Sequence, residues 1–432
     1  MIRAWPLTGA DNFQVLLDRH MRKRSRVGNV VRLALELDPS ADLRLLAQGI
    51  EANHNFRLAA ALRLRRATLV MPKWEFSGDD AGPKNVALLE NCSPEDHVAL
   101  VLQRDVVFGG CPVHVQLVGL ADGRKQAVIS AHHALFDQKG MVNFAHAIQP
   151  GAPAWPKESL FPERERQHWW PEFRNTVYIM FYMLGSPFWF MARLLRGRRG
   201  PVGAPVFSVV QFDRAQADAM EKQAWTHGAR FGMSNFNLAS TLAALQRVFD
   251  ARGGKPPYYW VSMPVSKRRK GTAGHLFGNN LTFVFARLKD DLVRDRVKAI
   301  AAVHAQVKRQ LAADVPARYT SLLNFFRRVP LWLYSTLVNL PMRGDYASLS
   351  FSDLGDEGEG VTSFGGARVL SAVDYASVPA PPGLTVTFKR NSNGLQLVIG
   401  HVPEALSAAE RMQFQTDLVA LLTGNGGTTA ST

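Results

Sequence analysis

Cysteine is nearly absent from this chain of 432 residues, which has only Cys92 and Cys111. Two thiols cannot build a disulfide framework or a four-cysteine metal site, so a stapled secreted scaffold is not expected and a reducing cytoplasm fits best. Acidic side chains are in deficit as well. There are 36 Asp and Glu against 51 Lys and Arg, a net charge of +15 and a pI near 10.1. Such a surface draws anions. No zinc-finger spacing and no RNP-like run accompanies the charge, so nucleic acid is not an expected partner. Also lacking are a GxSxG elbow, a GxxxxGK[ST] loop and an HExxH helix. Those absences exclude a serine hydrolase of that type, an ATP-activating site and a zinc peptidase. No metal and no permanently bound cofactor are expected. The opening MIRAWPLTGADNF has no apolar run leading to a small-residue cleavage site, which argues against a signal peptide.

What is present is a folding composition, 47% hydrophobic and 20% charged. The length exceeds what one ordinary core accommodates, which points to two domains. Between 150 and 205 proline and glycine thicken, and charge clusters at Glu163–Arg166. The expected division is therefore 1–170, an apolar and basic connecting segment 171–205, and 206–432.

Strand patterns run over Val30–Leu37, His114–Leu120 and Gln126–Ala131, the last two joined by the turn Ala121–Arg124. A helix is expected over Leu43–Asn53, capped from Asp38–Asp42. In the second half, strands are expected at Val206–Phe212, Tyr258–Val265, Asn280–Leu288, Leu384–Phe388 and Leu395–Ile399. Helices are expected at Asp213–Trp225, Ser234–Phe249, Asp291–Leu311 and Ser407–Leu422. Mixed strands and helices in both halves define an α/β or α+β class.

One short stretch carries chemistry: His132-His133-Ala134-Leu135-Phe136-Asp137-Gln138-Lys139-Gly140. Proton abstraction near neutrality suits histidine without heavy tuning, and a strand end can aim the ring into a crevice. Asp137, four residues on, can fold back under the turn and pair with a distant arginine.

This stretch resembles the HHxxxDG signature of the acyltransferase superfamily that includes nonribosomal peptide condensation domains, wax ester synthase/diacylglycerol acyltransferases, plant BAHD enzymes and chloramphenicol acetyltransferase. The match falls on His132, His133, Asp137 and Gly140, with Lys139 before the glycine as a departure. Further similarity lies in Pro6-Leu7-Thr8-Gly9, in WVSMPVSKRR followed by HLFGNN, and in GLTVTFKRNSNGLQLVIG near the end. The run Ser348–Gly355 is similar to the family's SNxG-type element, with Asp353 where Asn is common. The plant DFGWG motif is missing, so bacterial-type lipid or secondary-metabolite members are the nearer likeness.

The resemblance implies two chloramphenicol-acetyltransferase-like subdomains, each a mixed sheet flanked by helices, with a tunnel between them. It makes His133 the general base beside His132 and gives Asp137 and Gly140 structural roles. Ser352 and Asn280 become candidates for the oxyanion or the tunnel wall. The donor it implies is an acyl-CoA or acyl-carrier-protein thioester, and the carrier would be acidic enough to meet the basic surface. Two alternatives stand beside ester formation: a carrier-dependent condensation enzyme making amides, and a non-catalytic membrane- or carrier-binding protein of the same fold.

Two apolar stretches complete the pattern. TVYIMFYMLGSPFWFMARLL, 176–195, has the length of a membrane span but is interrupted by Gly185-Ser186-Pro187 and carries Arg193. Pro330–Pro341 is flanked by Arg327, Arg328 and Arg343, and the first stretch ends at Arg196, Arg198 and Arg199. Aromatic residues bordered by arginine suit an anionic membrane surface, so peripheral attachment on the inner face of the cytoplasmic membrane and a lipid-like acceptor are expected.

Overall fold

Alternation in VVRLALEL sends Leu33, Leu35 and Leu37 into a core, and this strand, Val30–Leu37, lies inside a six-stranded sheet. The order across that sheet is Ser363–Phe364, Ala367–Tyr375, Val30–Leu37, Lys125–His132, Val113–Leu120 and Val86–Cys92. The computed structural model describes residues 4–67, 70–77, 85–107, 109–162, 169–185, 190–195, 200–229, 232–268, 274–342, 344–356 and 360–424. The expected hairpin is present, with Val113–Leu120 antiparallel to Lys125–His132. Its turn uses Gly123 at φ 86° and an Asp122 carboxylate that accepts the Arg124 N–H at 3.1 Å. Apolar faces of these strands bury against the helices Leu43–Ala52, His54–Ala61 and Gln138–Ala147. Asp42 and Asn53 cap the first two through their side chains.

The second half is built around a four-stranded sheet ordered Ser350–Asp356, Leu384–Asn391, Gly394–His401 and Val206–Asp213. Val210, Phe212, Val386, Phe388, Leu397 and Ile399 form its inner face. Helices Arg214–Thr226, Met233–Ala251 and Ala408–Thr423 contribute buried residues to the same core. Asp213 and Ser407 start the first and last of these with reciprocal capping boxes. Tyr258–Ser266 and Leu281–Lys289 pair antiparallel.

One element differs from expectation. The helix expected over 291–311 is two helices, Asp290–Arg294 and Arg296–Ala312, because the Asp295 carboxylate accepts the Lys298 N–H and caps a new start. One strand runs across the line drawn at 206. Strand Ala367–Tyr375 leaves the second half and pairs antiparallel with Val30–Leu37, while its Asp374 holds the buried Lys389 at 2.6 Å. The apolar run at 176–195 is not one helix, in line with the interruption expected from Gly185 onward. A helix, Trp169–Leu184, ends before Gly185, and Met191 bridges to Tyr258 instead. Among the described residues, no helix is long and apolar enough to cross a membrane.

Candidate active site

Val30 opposite His132 is the last register pair of its ladder, so the chain leaves the sheet at His133. The His133 N–H still donates to the Asn29 carbonyl at 2.9 Å. Ala134, Leu135 and Phe136 are fully buried, which draws the turn inward, and Phe136 bridges to Gly278. The turn brings the Phe136 carbonyl oxygen to 2.9 Å from His133 Nδ1. A carbonyl can only accept, so Nδ1 carries the proton and Nε2 keeps its lone pair. That is the tautomer a base requires.

The His133 side chain is half-buried, but the ring lies deep enough for burial to push its pKa below the ordinary histidine value. Hydrogen bonding to Phe136 and the charge of Asp137 offset part of that push. A base works when unprotonated, so a lowered pKa leaves it competent at neutral pH and disables it only on acidification. With His133 as a base, the pH profile of kcat/KM should therefore rise through an apparent pKa below about 6.5. A rise centred above that value would contradict this assignment.

Asp137 is occupied on every side. It caps the helix Gln138–Ala147 by accepting the Gly140 N–H at 2.8 Å. Arg268 donates from Nε to Oδ2 and from Nη2 to Oδ1, both at 2.9 Å, and the Asn280 N–H reaches Oδ2 at 3.0 Å. A carboxylate so filled has a fixed orientation. Arg268 comes from the basic cluster 267–270, of which Arg269 and Lys270 lie outside the described residues. Gly140 is closely packed, since a Cβ there would lie 3.1 Å from Asp137 Oδ1 and from the Leu276 carbonyl oxygen. HHxxxDG places its glycine directly after the aspartate, but that position here is the half-buried Gln138, and Lys139 is exposed.

His132 is buried in a different environment. Its Nδ1 accepts the Ala134 N–H at 3.1 Å, so its proton sits on Nε2, which faces Asp18 Oδ1 at 3.5 Å. Asn280 reaches this cluster through its backbone. Ser352 lies in the four-stranded sheet, paired in register with Thr387. Asp353, beside it, accepts from Asn237 Nδ2 at 2.9 Å, and burial raises its pKa.

The sequence pattern did not single out Arg268 or Asn279. The Asn279 side chain donates to the His133 carbonyl at 2.8 Å and to Asp11 at 2.9 Å. Gly278, at φ 85°, turns the backbone to place it there, and a Cβ would run into Pro162.

No family model matches the sequence, and no curated protein matches it. Solved structures do match the fold across nearly the whole chain. The trichothecene 15-O-acetyltransferase of Fusarium sporotrichioides is 13% identical, with 97% of this chain and 94% of that chain covered at a TM-score of 0.71. The first condensation domain of the calcium-dependent antibiotic synthetase, bound to a substrate analogue, is 15% identical, with 99% and 97% covered at 0.67. The wax ester synthase/diacylglycerol acyltransferase of Marinobacter aquaeolei is 13% identical, with 98% and 100% covered at 0.62. The chain has the two-subdomain fold shared by CoA-dependent acyltransferases and condensation domains.

Proposed function

We propose that the protein transfers an acyl group from a thioester, acyl-CoA or acyl-carrier protein, to the hydroxyl of a lipid-like or polyketide-like acceptor, with His133 as general base. The observation that carries this is the Nδ1 bond to the Phe136 carbonyl, which leaves the Nε2 lone pair on a half-buried ring. Nε2 takes the acceptor proton as its oxygen attacks the thioester carbonyl. Collapse of the tetrahedral oxyanion breaks the C–S bond, and the thiolate takes the proton back from Nε2. The ester and free thiol leave, and the imidazole is restored. The Ser352 hydroxyl and the Asn280 side-chain amide are the candidate oxyanion donors, since the Asn280 backbone N–H is committed to Asp137.

A lipid-like acceptor is favoured by the exposed aromatic surface. Trp169 and Phe181 are each 71% exposed on the helix Trp169–Leu184, and Trp332 is 54% exposed on the helix Leu331–Met342. The two helices are joined through Val315–Phe326: Asn175 donates to Ser321, and Tyr334 stacks on Phe326 with centroids 4.6 Å apart. Arg318 lies over the Tyr178 ring at 4.1 Å, and Arg328 pairs with Glu172. Arg196, Arg198, Arg199 and Arg343 lie outside the described residues. Aromatic side chains beside arginine fit an anionic headgroup layer.

The test uses acyl-CoA with a long-chain alcohol carried in phosphatidylglycerol vesicles, beside a soluble short-chain alcohol and an amine. Ester and free thiol should form one for one. Joint replacement Trp169→Ser, Phe181→Ser and Trp332→Ser should abolish vesicle co-sedimentation and turnover of the vesicle-borne alcohol while sparing the soluble one. Amide as the sole product, or unchanged co-sedimentation, would overturn the corresponding part.

A further inference from the structure

The helix Gly9–Met21 presents Asp11, Gln14 and Asp18 at i, i+3 and i+7, and all three are buried. Such spacing puts them on one face. A buried polar stripe is costly unless each group is satisfied, and here each is satisfied at the two-histidine turn. Asp11 Oδ1 accepts the Asn279 N–H at 2.6 Å and its Nδ2 at 2.9 Å, and the same Nδ2 donates to the His133 carbonyl at 2.8 Å. The side chain and the carbonyl of Gln14 both accept from Asn29 Nδ2 at 2.9 Å. The Asn29 carbonyl in turn accepts the His133 N–H at 2.9 Å. Asp18 Oδ1 accepts the Asn29 N–H at 3.0 Å and faces His132 Nε2. Both peptide groups of His133, and the ring before it, are therefore tied within two hydrogen bonds to one helix.

The helix is itself fixed. Thr8 and Asp11 form a capping box, and Gly9 packs so closely on Val315–Phe326 that a Cβ would lie 2.4 Å from the Leu323 carbonyl carbon. At the other end Arg22 donates to Asp18 at 3.0 Å and pairs with Asp105 at 2.5 Å.

Taking His133 as the base proposed above, we infer that Asp11, Gln14 and Asp18, acting through Asn279, Asn29 and His132, are positioning residues that set the His133 ring against the reacting atoms. Asp18 stays anionic in this role. Burial pushes its pKa up, but its contacts with His132, Asn29 and Arg22 bring it down to about 2. A purely structural helix would stabilise the fold without governing the state of one imidazole.

The test compares Asp18→Asn, Asn279→Ala and the milder Gln14→Ala, which leaves Asn29 Nδ2 the backbone carbonyl. Histidine-selective ¹⁵N labelling reads the imidazole tautomers, and the His133 signals are assigned by their loss in His133→Gln. For Asp18→Asn and Asn279→Ala, kcat should fall about 10- to 100-fold with the thioester KM unchanged within about twofold. Their His133 signal should move from the pure Nδ1–H form toward a mixture, and Gln14→Ala should shift it the same way by less. Folded variants whose His133 spectrum and pH–rate profile match the wild type would overturn the inference. If His133→Gln left transfer intact, the base assignment would fall, yet the spectra would still decide whether the helix sets the ring.

Discussion

Replacing His133 by glutamine should slow acyl transfer by about 10²–10⁴-fold, the range a positioned general base supplies. Glutamine approximates the ring's reach and can still donate toward the Phe136 carbonyl, but it offers no basic lone pair where Nε2 stands. The loss should therefore fall on kcat, while thioester affinity, measured by equilibrium binding, stays within about twofold. His132→Gln should not reproduce this pattern, because the His132 Nδ1 is committed to the Ala134 N–H and its Nε2 faces Asp18. A His133→Gln protein that weakened thioester binding with kcat intact would move this residue from chemistry to substrate contact.

Removing Arg268 should cost about 3–5 kcal/mol, because it strands a buried carboxylate. The side chains of Arg268 and Asp137 are only 6% and 11% exposed, and the guanidinium fork also donates to the His275 carbonyl at 2.8 Å. Arg268→Ala should lower the denaturation midpoint and, by loosening the Gln138–Ala147 N-terminus, the activity as well. Lysine should rescue poorly, since one ammonium cannot match the fork's contacts on both Asp137 oxygens. The paired change Arg268→Met with Asp137→Leu should recover part of the stability lost in either single variant, as apolar pairs of similar volume do in buried sites. A loss below about 1 kcal/mol for Arg268→Ala would place the pair among weak, solvated bridges.

Much of this architecture was legible in local patterns. Apolar alternation marked Val30–Leu37 and the hairpin ending at His132, and Asp42 announced its helix because capping is a local interaction. The crossover of Ala367–Tyr375 was not legible, since ARVLSAVDY carries no mark of which sheet it joins. The candidate site divided in the same way. The two-histidine motif stood out, and the pairing of Asp137 with an arginine could be anticipated from carboxylate chemistry. Which arginine could not, because 131 positions separate Arg268 from Asp137. Asn279 and Asn280 are adjacent and identical in type, and only the turn at Gly278 distinguishes the side chain that reaches His133. Asp11, Gln14 and Asp18 belong to no motif that marks them in the sequence. Their burial is a tertiary fact, imposed by packing against the turn they hold.

We propose that His133 acts as a base on the acceptor and not as a nucleophile on the donor. Thiol release and intact protein mass, followed on mixing the protein with acyl-CoA first without and then with an alcohol acceptor, test it most directly. The expected result is no acyl adduct and no thiol burst until the alcohol is added, then ester and thiol in equal amounts, with both suppressed in His133→Gln. A thiol burst with an acyl group on the protein before any acceptor is present, or release that His133→Gln leaves unchanged, would contradict it.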